Sequence, residues 1–265
     1  MMKFSKIIIL SAFAAGIVFT GCNNDDNSVK PITEFSSPYY PLEEGSGYVY
    51  RTSTLDSGNV ETNIRFDSVS ITSAGSQFGK AAFMETTFNE GNTLKSELVS
   101  RESKAAYRYF TPITLDSAFP IVYPKRWIKE ADFNTSINTW VTVDTSVTEI
   151  PVRFGTQNGV DSGTVTARIV QTRTKSASIP ISYGIPAKTV QAIEITSTTN
   201  FKGTVTTAGV GQVSVPIEFN DVEKIYYADS IGIVKRHRDS YTIKASFIER
   251  NVPGFDYTLQ TYTKK

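Results

Sequence analysis

The chain has 265 residues, with 27 Lys and Arg against 26 Asp and Glu, one His and one Cys. A nearly balanced charge argues against nucleic acid as a partner, since phosphate recognition needs a basic surface. A single cysteine excludes a disulfide scaffold within the chain and a zinc site built on several thiolates.

The first residues, MMKFSKIIILSAFAAGIVFTGC, place Lys3 and Lys6 before an apolar stretch from Ile7 to Phe19 and end it with Thr20 and Gly21. This is the layout of a secretory signal over residues 1–21. A permanent span needs about 20 apolar residues, and this stretch is shorter and runs directly into NNDDNS. Phe19-Thr20-Gly21-Cys22 resembles the lipobox of bacterial lipoproteins, with Phe19 where an aliphatic residue is usual. The resemblance implies diacylglycerol on the Cys22 thiol, cleavage before Cys22 and acylation, typically with palmitate, of the new N-terminus. Loss of residues 1–21 removes two lysines and no acids, so 25 bases against 26 acids leave a mature charge of −1.

Residues 22–38 contain NNDDNSVKPITEFSSP, poor in large apolar groups, and are expected to form a flexible acidic tether. Asp25 and Asp26 resemble the acidic export signal of Bacteroidetes surface lipoproteins; an acidic tether without that meaning fits them equally.

From Tyr39 to Lys265 the pattern has period two and is rich in Thr, Val, Ile, Tyr and Phe, which suit a pleated, half-buried surface. The clearest runs are Val165, Ala167 and Ile169; Val213, Val215, Ile217 and Phe219; Tyr241, Ile243, Ala245 and Phe247; and Phe255, Tyr257 and Leu259. Each has one apolar face, the mark of antiparallel strands. In NIRFDSVSI the phase changes between Ile64/Phe66 and Val69/Ile71, which predicts a β-bulge near Asp67 or Ser68. Tyr257 and Tyr262, opposite in parity, cannot both face the core of a regular strand.

Turns are predicted at DSGN (56–59), NEGN (89–92), QNG (157–159) and AGVG (208–211). Residues 111–137 are expected to hold a long loop with a short helix or plug around Trp127, Ile128, Ala131 and Phe133. Residues 176–187, with Pro180, Tyr183, Gly184 and Pro186, read as another loop. The expected fold is therefore all-β, a single curved antiparallel sheet or partial barrel of about ten strands with one short helix or plug.

Two motifs, YYPLEEGSGYVYR (39–51) and IYYADSIGIVKRH (225–237), resemble the opening and closing motifs of uncharacterised Bacteroidetes-type lipoproteins. That resemblance implies a lipocalin-like or LolA/LolB-like curved sheet and assigns no catalytic residue. Independently of it, Gly232 permits a positive φ and hence a tight turn between two strands.

Chemistry is thinly marked. His237 lies in KRHRDSY beside Asp239 and Ser240, but neighbours on a strand face opposite ways, and Arg236 and Arg238 would surround a base with positive charge. It is read as part of a basic edge. No metal site, cofactor fingerprint or nucleophile elbow is present, so no cofactor is expected. Tyr39, Tyr40, Tyr48, Tyr50, Tyr226 and Tyr227 are candidates for a lipid or glycan surface, or for the β core.

The functional expectation is a non-enzymatic outer-membrane lipoprotein of the bacterial envelope, anchored at Cys22 and periplasmic or surface-exposed, structural or holding a hydrophobic or lipidic ligand in a curved sheet. The alternatives are a surface glycan-binding accessory protein and a hydrolase using a carboxylate pair.

Overall fold

The computed structural model describes residues 39–264 except 103, 110–113, 117–118, 121–125, 135, 157–158, 209–211 and 247. The signal, Cys22, the tether with Asp25 and Asp26, Phe247 and most of the QNG and AGVG turns lie outside the described residues.

In chain order the strands begin with β1 (Gly47–Leu55), β2 (Glu61–Gln77), β3 (Lys80–Asn89), β4 (Asn92–Glu102) and β5 (Ala105–Tyr109). After β6 (Thr114–Asp116) and β7 (Phe119–Pro120) come β8 (Trp127–Asp132), β9 (Thr139–Thr156), β10 (Gly159–Tyr183) and β11 (Lys188–Thr207). The chain then forms β12 (Ser214–Ala228), β13 (Gly232–Arg238), β14 (Tyr241–Ala245), β15 (Ile248–Val252) and β16 (Gly254–Thr263). Twelve of these make one sheet in the order β8-β5-β4-β3-β2-β1-β16-β13-β12-β11-β10-β9, and β6-β7 and β14-β15 form two small hairpins.

Neighbours in this sheet run antiparallel, so a largely sequential meander suffices, with β16 inserted between β1 and β13. The two edge strands approach each other: the Trp140 indole on β9 donates to Lys129 O on β8 at 3.0 Å, and Arg173 Nη1 on β10 donates to Glu130 O at 3.0 Å. These side-chain links nearly close the sheet into a barrel and blunt edges that would otherwise be open to pairing.

Four expectations need correction. Among the described residues there is no helix, and the predicted plug at 127–133 is the edge strand β8 followed by Phe133. Its apolar residues are buried as expected, with Ile128, Ala131 and Phe133 at 6%, 0% and 8% exposure, but β5 supplies a backbone partner and ladder pairing decides the conformation. With β5 and β8 both in the ladder, the sheet has twelve strands rather than about ten.

The predicted loop at 176–187 is mostly strand, β10 running to Tyr183 and β11 starting at Lys188. Pro180 is tolerated because β9 pairs β10 only as far as Thr174, so beyond that point β10 has a free side that needs no N–H donor. Gly184, at φ +80°, makes the turn.

The bulge predicted at Asp67 or Ser68 is displaced. Asp67 pairs with Tyr50 and Val69 with Tyr48 in regular register, and the irregularity lies nearer Asn63, at φ 50°. Ile64 and Phe66 consequently stay outside, 54% and 55% exposed, and the inward positions go to Arg65 and Asp67. On β16 a register shift beside Gln260 sets Tyr257 opposite Thr52 and Tyr262 opposite Tyr48, so both tyrosines share one face.

The inward face is apolar at both ends. At one end Phe201, Ile169, Ile217 and Val205 are capped by Ile243 and Val252 of the β14–β15 hairpin. At the other, Tyr40 and Leu42 pack with Tyr227, Ile225, Ile71 and Val99. Each such buried side chain stabilises the fold by roughly 1.5–3 kcal/mol. Between the two clusters runs a polar and charged belt.

Candidate functional site

Alternation along the strands builds this belt. On β3, Phe83, Glu85 and Thr87 point inward, and register sets them opposite Val99, Glu97 and Lys95 of β4. Val99 in turn faces Arg108 on β5. Arg108 is the hub: Nη1 donates to Glu85 Oε1 at 2.9 Å and to Glu97 Oε2 at 2.7 Å, and Nε reaches Glu130 Oε2 at 3.2 Å. Across the sheet Arg236 Nε donates to Glu223 Oε1 at 2.7 Å.

Burial opposes the charges here, and the pairs overcome it. Burial alone would raise the Glu97 pKa, but the Arg108 guanidinium and Lys95 hold it down at about 2. For Glu130, too, burial is outweighed, by Arg108 and Arg173, and the pKa is lowered. Arg236 is likewise kept protonated by Glu223 against its own burial.

Beside the hub, on the inward side of β13-β16-β1-β2-β3-β4, lies a cavity of about 200 Å³. Its walls are the rings of Tyr48, Tyr50 and Tyr257 with Val69, Leu94 and Ile233; its polar groups are Arg65, Asp67, Glu85, Thr87, Lys95 and Arg236. Arg65 and Lys95 stand at the open side, with side chains 48% and 46% exposed, whereas Asp67 is 2% exposed.

The two motifs singled out in the sequence meet here. Tyr50 OH donates to Ile233 O at 2.9 Å and Tyr48 OH to Pro41 O at 3.3 Å. Tyr40 and Tyr227 contact edge to face at 6.0 Å. Gly232 has φ +99°, as the tight turn requires, and a Cβ there would lie 3.5 Å from Pro41 Cδ. Burial pushes the Tyr48 hydroxyl up to about 12, with Glu85 adding to it, so the hydroxyl stays protonated and fixed as a donor.

Of the six tyrosines considered for a surface platform, Tyr40, Tyr48, Tyr226 and Tyr227 are buried, at 4%, 8%, 8% and 0% exposure. Tyr39 stacks on Phe133 at 5.2 Å, and Tyr48 and Tyr50 line the cavity. They form core and cavity wall, not an exposed stacking surface.

His237 lies on the outward face between Asp256 (Nδ1 to Oδ1, 3.1 Å) and Asp239 (Nε2 to Oδ1, 3.2 Å). Arg236 and Arg238 turn to the inward face, so the expected crowding of this imidazole by arginine is replaced by two carboxylates. Ser240 Oγ donates to Asn59 Oδ1 at 3.0 Å, away from the imidazole.

The sequence reading missed Arg108, Glu85, Glu97, Glu130 and the inward Arg65–Asp67 pair. The available signal was a charged residue recurring at the inward parity of successive strands, as in Phe83-Glu85-Thr87 and Lys95-Glu97-Val99.

Fold and site together define a nearly closed antiparallel β-sheet with a charge-lined inner cavity. No family model matches the chain, and no curated protein matches it. Two solved structures are similar: a candidate lipoprotein from Parabacteroides distasonis ATCC 8503, 10% identical with a TM-score of 0.43, covering 85% of this chain and 98% of that one; and a candidate exported protein with a YmcC-like fold from Bacteroides fragilis NCTC 9343, 11% identical with a TM-score of 0.39, covering 85% and 99%. Both neighbours are Bacteroidetes proteins described as lipoprotein or exported.

Proposed function

We propose that this chain is an envelope lipoprotein, tethered to the outer membrane through lipid on Cys22, whose β domain is a non-enzymatic binding protein. The observation carrying the binding role is the cavity of about 200 Å³ between Tyr50, Asp67, Glu85, Arg236 and Tyr257. Its lining mixes rings with fixed charges, which favours a polar or amphiphilic ligand, and within the hydrophobic or lipidic class expected of an incompletely closed sheet points to one with a polar head. A glycan remains a second reading at this cavity, because aromatic walls beside carboxylate and guanidinium groups suit sugar hydroxyls.

A carboxylate-pair hydrolase is disfavoured. Glu85 and Glu97 do face each other, but both are spent on Arg108, and Glu97 at about 2 cannot donate a proton at neutral pH.

Each buried methylene of an acyl chain contributes about 0.8 kcal/mol, so two or three chains on Cys22 hold a protein on a membrane. Cys22→Ala should therefore shift the protein from membrane to soluble fractions and remove a lipid mass from the intact protein; persistence on membranes with no lipid mass on the wild type contradicts the tether. For the binding role, extraction without detergent exchange followed by denaturation should release a defined small molecule. A protein that releases none and takes up none would count against it.

A further inference from the structure

The hydrogen bonds around the cavity are unevenly distributed. Its acids are each engaged by at least two donors of the protein itself. Asp67 accepts from Arg65 Nε at 3.0 Å, Asn89 Nδ2 at 3.0 Å and Thr52 Oγ1 at 3.3 Å. Glu85 accepts from Arg108 Nη1 at 2.9 Å and Tyr40 OH at 3.3 Å.

The donors of the same cavity are less fully engaged. Arg65 engages Asp67 through Nε alone, leaving both Nη groups at the open side. Arg236 spends Nε and Nη2 on Glu223, and Nη1 has no partner among the described residues. Lys95 commits one bond, to Glu97 at 2.9 Å, and the Tyr257 hydroxyl has no partner among the described residues.

A ligand group that fits must therefore accept hydrogen bonds and donate few. Carboxylate and phosphate are the groups with that property, and a guanidinium binds either with two parallel bonds. A cation would meet these donors with its own, and a neutral sugar hydroxyl, which also brings a donor that the engaged acids do not need, accepts more weakly than a charged oxygen. The charges of the wider belt are matched, Asp67, Glu85, Glu97, Glu130 and Glu223 against Arg65, Lys95, Arg108, Arg173 and Arg236. Directed donors, not a net positive field, carry the selectivity.

We infer that the cavity selects a ligand bearing an acidic, acceptor-rich group, a carboxylate or phosphate, held by Arg65 and Lys95 at the rim and Arg236 beneath. This rests on the proposed binding role and names the ligand class within it. An acidic sugar and an anionic lipid headgroup share this chemistry.

The test is calorimetric titration of the mature lipidated protein in non-ionic detergent with two matched pairs of probes, glucuronate against glucose and dihexanoyl phosphatidate against dihexanoylglycerol. The acidic member of one pair should bind at least tenfold more tightly than its neutral counterpart, and the pair that responds identifies the source. Arg236→Gln should cost that probe tenfold or more. Because Arg236 is paired with Glu223, the rim variant Arg65→Gln/Lys95→Gln, at half-exposed positions, provides the same readout with the Arg236–Glu223 pair left in place, circular dichroism checking that Asp67 and Glu97 keep the fold without these partners. Arg168→Gln, on the outward face, should change nothing.

Equal binding of acidic and neutral members overturns the inference and leaves the binding role standing, as does unchanged affinity in the rim variant. Failure of all four probes overturns the inference and removes support from the binding role as well.

Discussion

Gly232 is the residue on which the two sequence motifs hinge. At φ +99° it occupies a region closed to side chains, and a Cβ would be set against Pro41 Cδ at 3.5 Å and Tyr40 Cδ2 at 4.0 Å. Gly232→Ala should destabilise the fold by about 1–3 kcal/mol in denaturant unfolding, and the turn that carries Ile233 to Tyr50 should loosen with it. Glu97 makes a second residue-level prediction. Its pKa falls from 4.5 to about 2 on folding because Arg108 and Lys95 outweigh burial. The ionised form is thus favoured in the fold, and its contribution is complete above about pH 4.5 and lost as pH falls through about 2. Denaturation midpoints should drop across that window, and Glu97→Gln should flatten the drop; a wild-type stability unchanged between pH 5 and 2 would contradict the Arg108 hub.

Among the elements, the β14–β15 hairpin does the work of a stopper. Ile243 is fully buried against the cluster of Phe201, Ile169 and Ile217, and Tyr241 stacks on Phe219 at 5.9 Å. Ile243→Ala should cost about 2–5 kcal/mol, measured by thermal or denaturant unfolding. This hairpin's inward Tyr241 and Ile243 were legible in the sequence, as were the inward faces of β10 and β12 and the turns at 56–59 and 89–92. What escaped has one physical cause. Period-two reading assumes that apolar side chains go in, and β2 inverts this by burying Asp67 while Ile64 and Phe66 stay out. The inversion is stable only because Arg65, Thr52 and Asn89, two of them on other strands, supply the hydrogen bonds of the carboxylate. Such compensation is written in the register between strands, which a single sequence does not display. The same holds for Glu85 and Glu97, whose partner Arg108 lies on β5, and for β8, whose strand conformation depends on finding β5. The tight turn at Gly232 was legible in the sequence; that Tyr48 and Tyr50 line a cavity beside it was not.

For the domain from Tyr39 to Lys264, a sheet that almost closes explains its interior and underlies the proposed binding role. The ends are sealed by apolar clusters, and the middle holds charges that would be costly there if unpaired. Hydrophobic packing of the same positions would give a solid barrel; the belt instead leaves a cavity whose acids are answered and whose donors are not. Such an interior suits capture of a ligand better than mere bulk. The most direct test is to block the cavity. Thr87, 6% exposed on β3, lines it, and Thr87→Phe would fill its space with no change of charge. Native mass spectrometry of wild type and variant, both extracted from their own membranes and both confirmed folded by circular dichroism, should show a non-covalent small molecule on the wild type and its loss or sharp reduction on Thr87→Phe. The same bound mass at the same occupancy on both proteins, or none on either, would contradict the assignment of this cavity as the binding site.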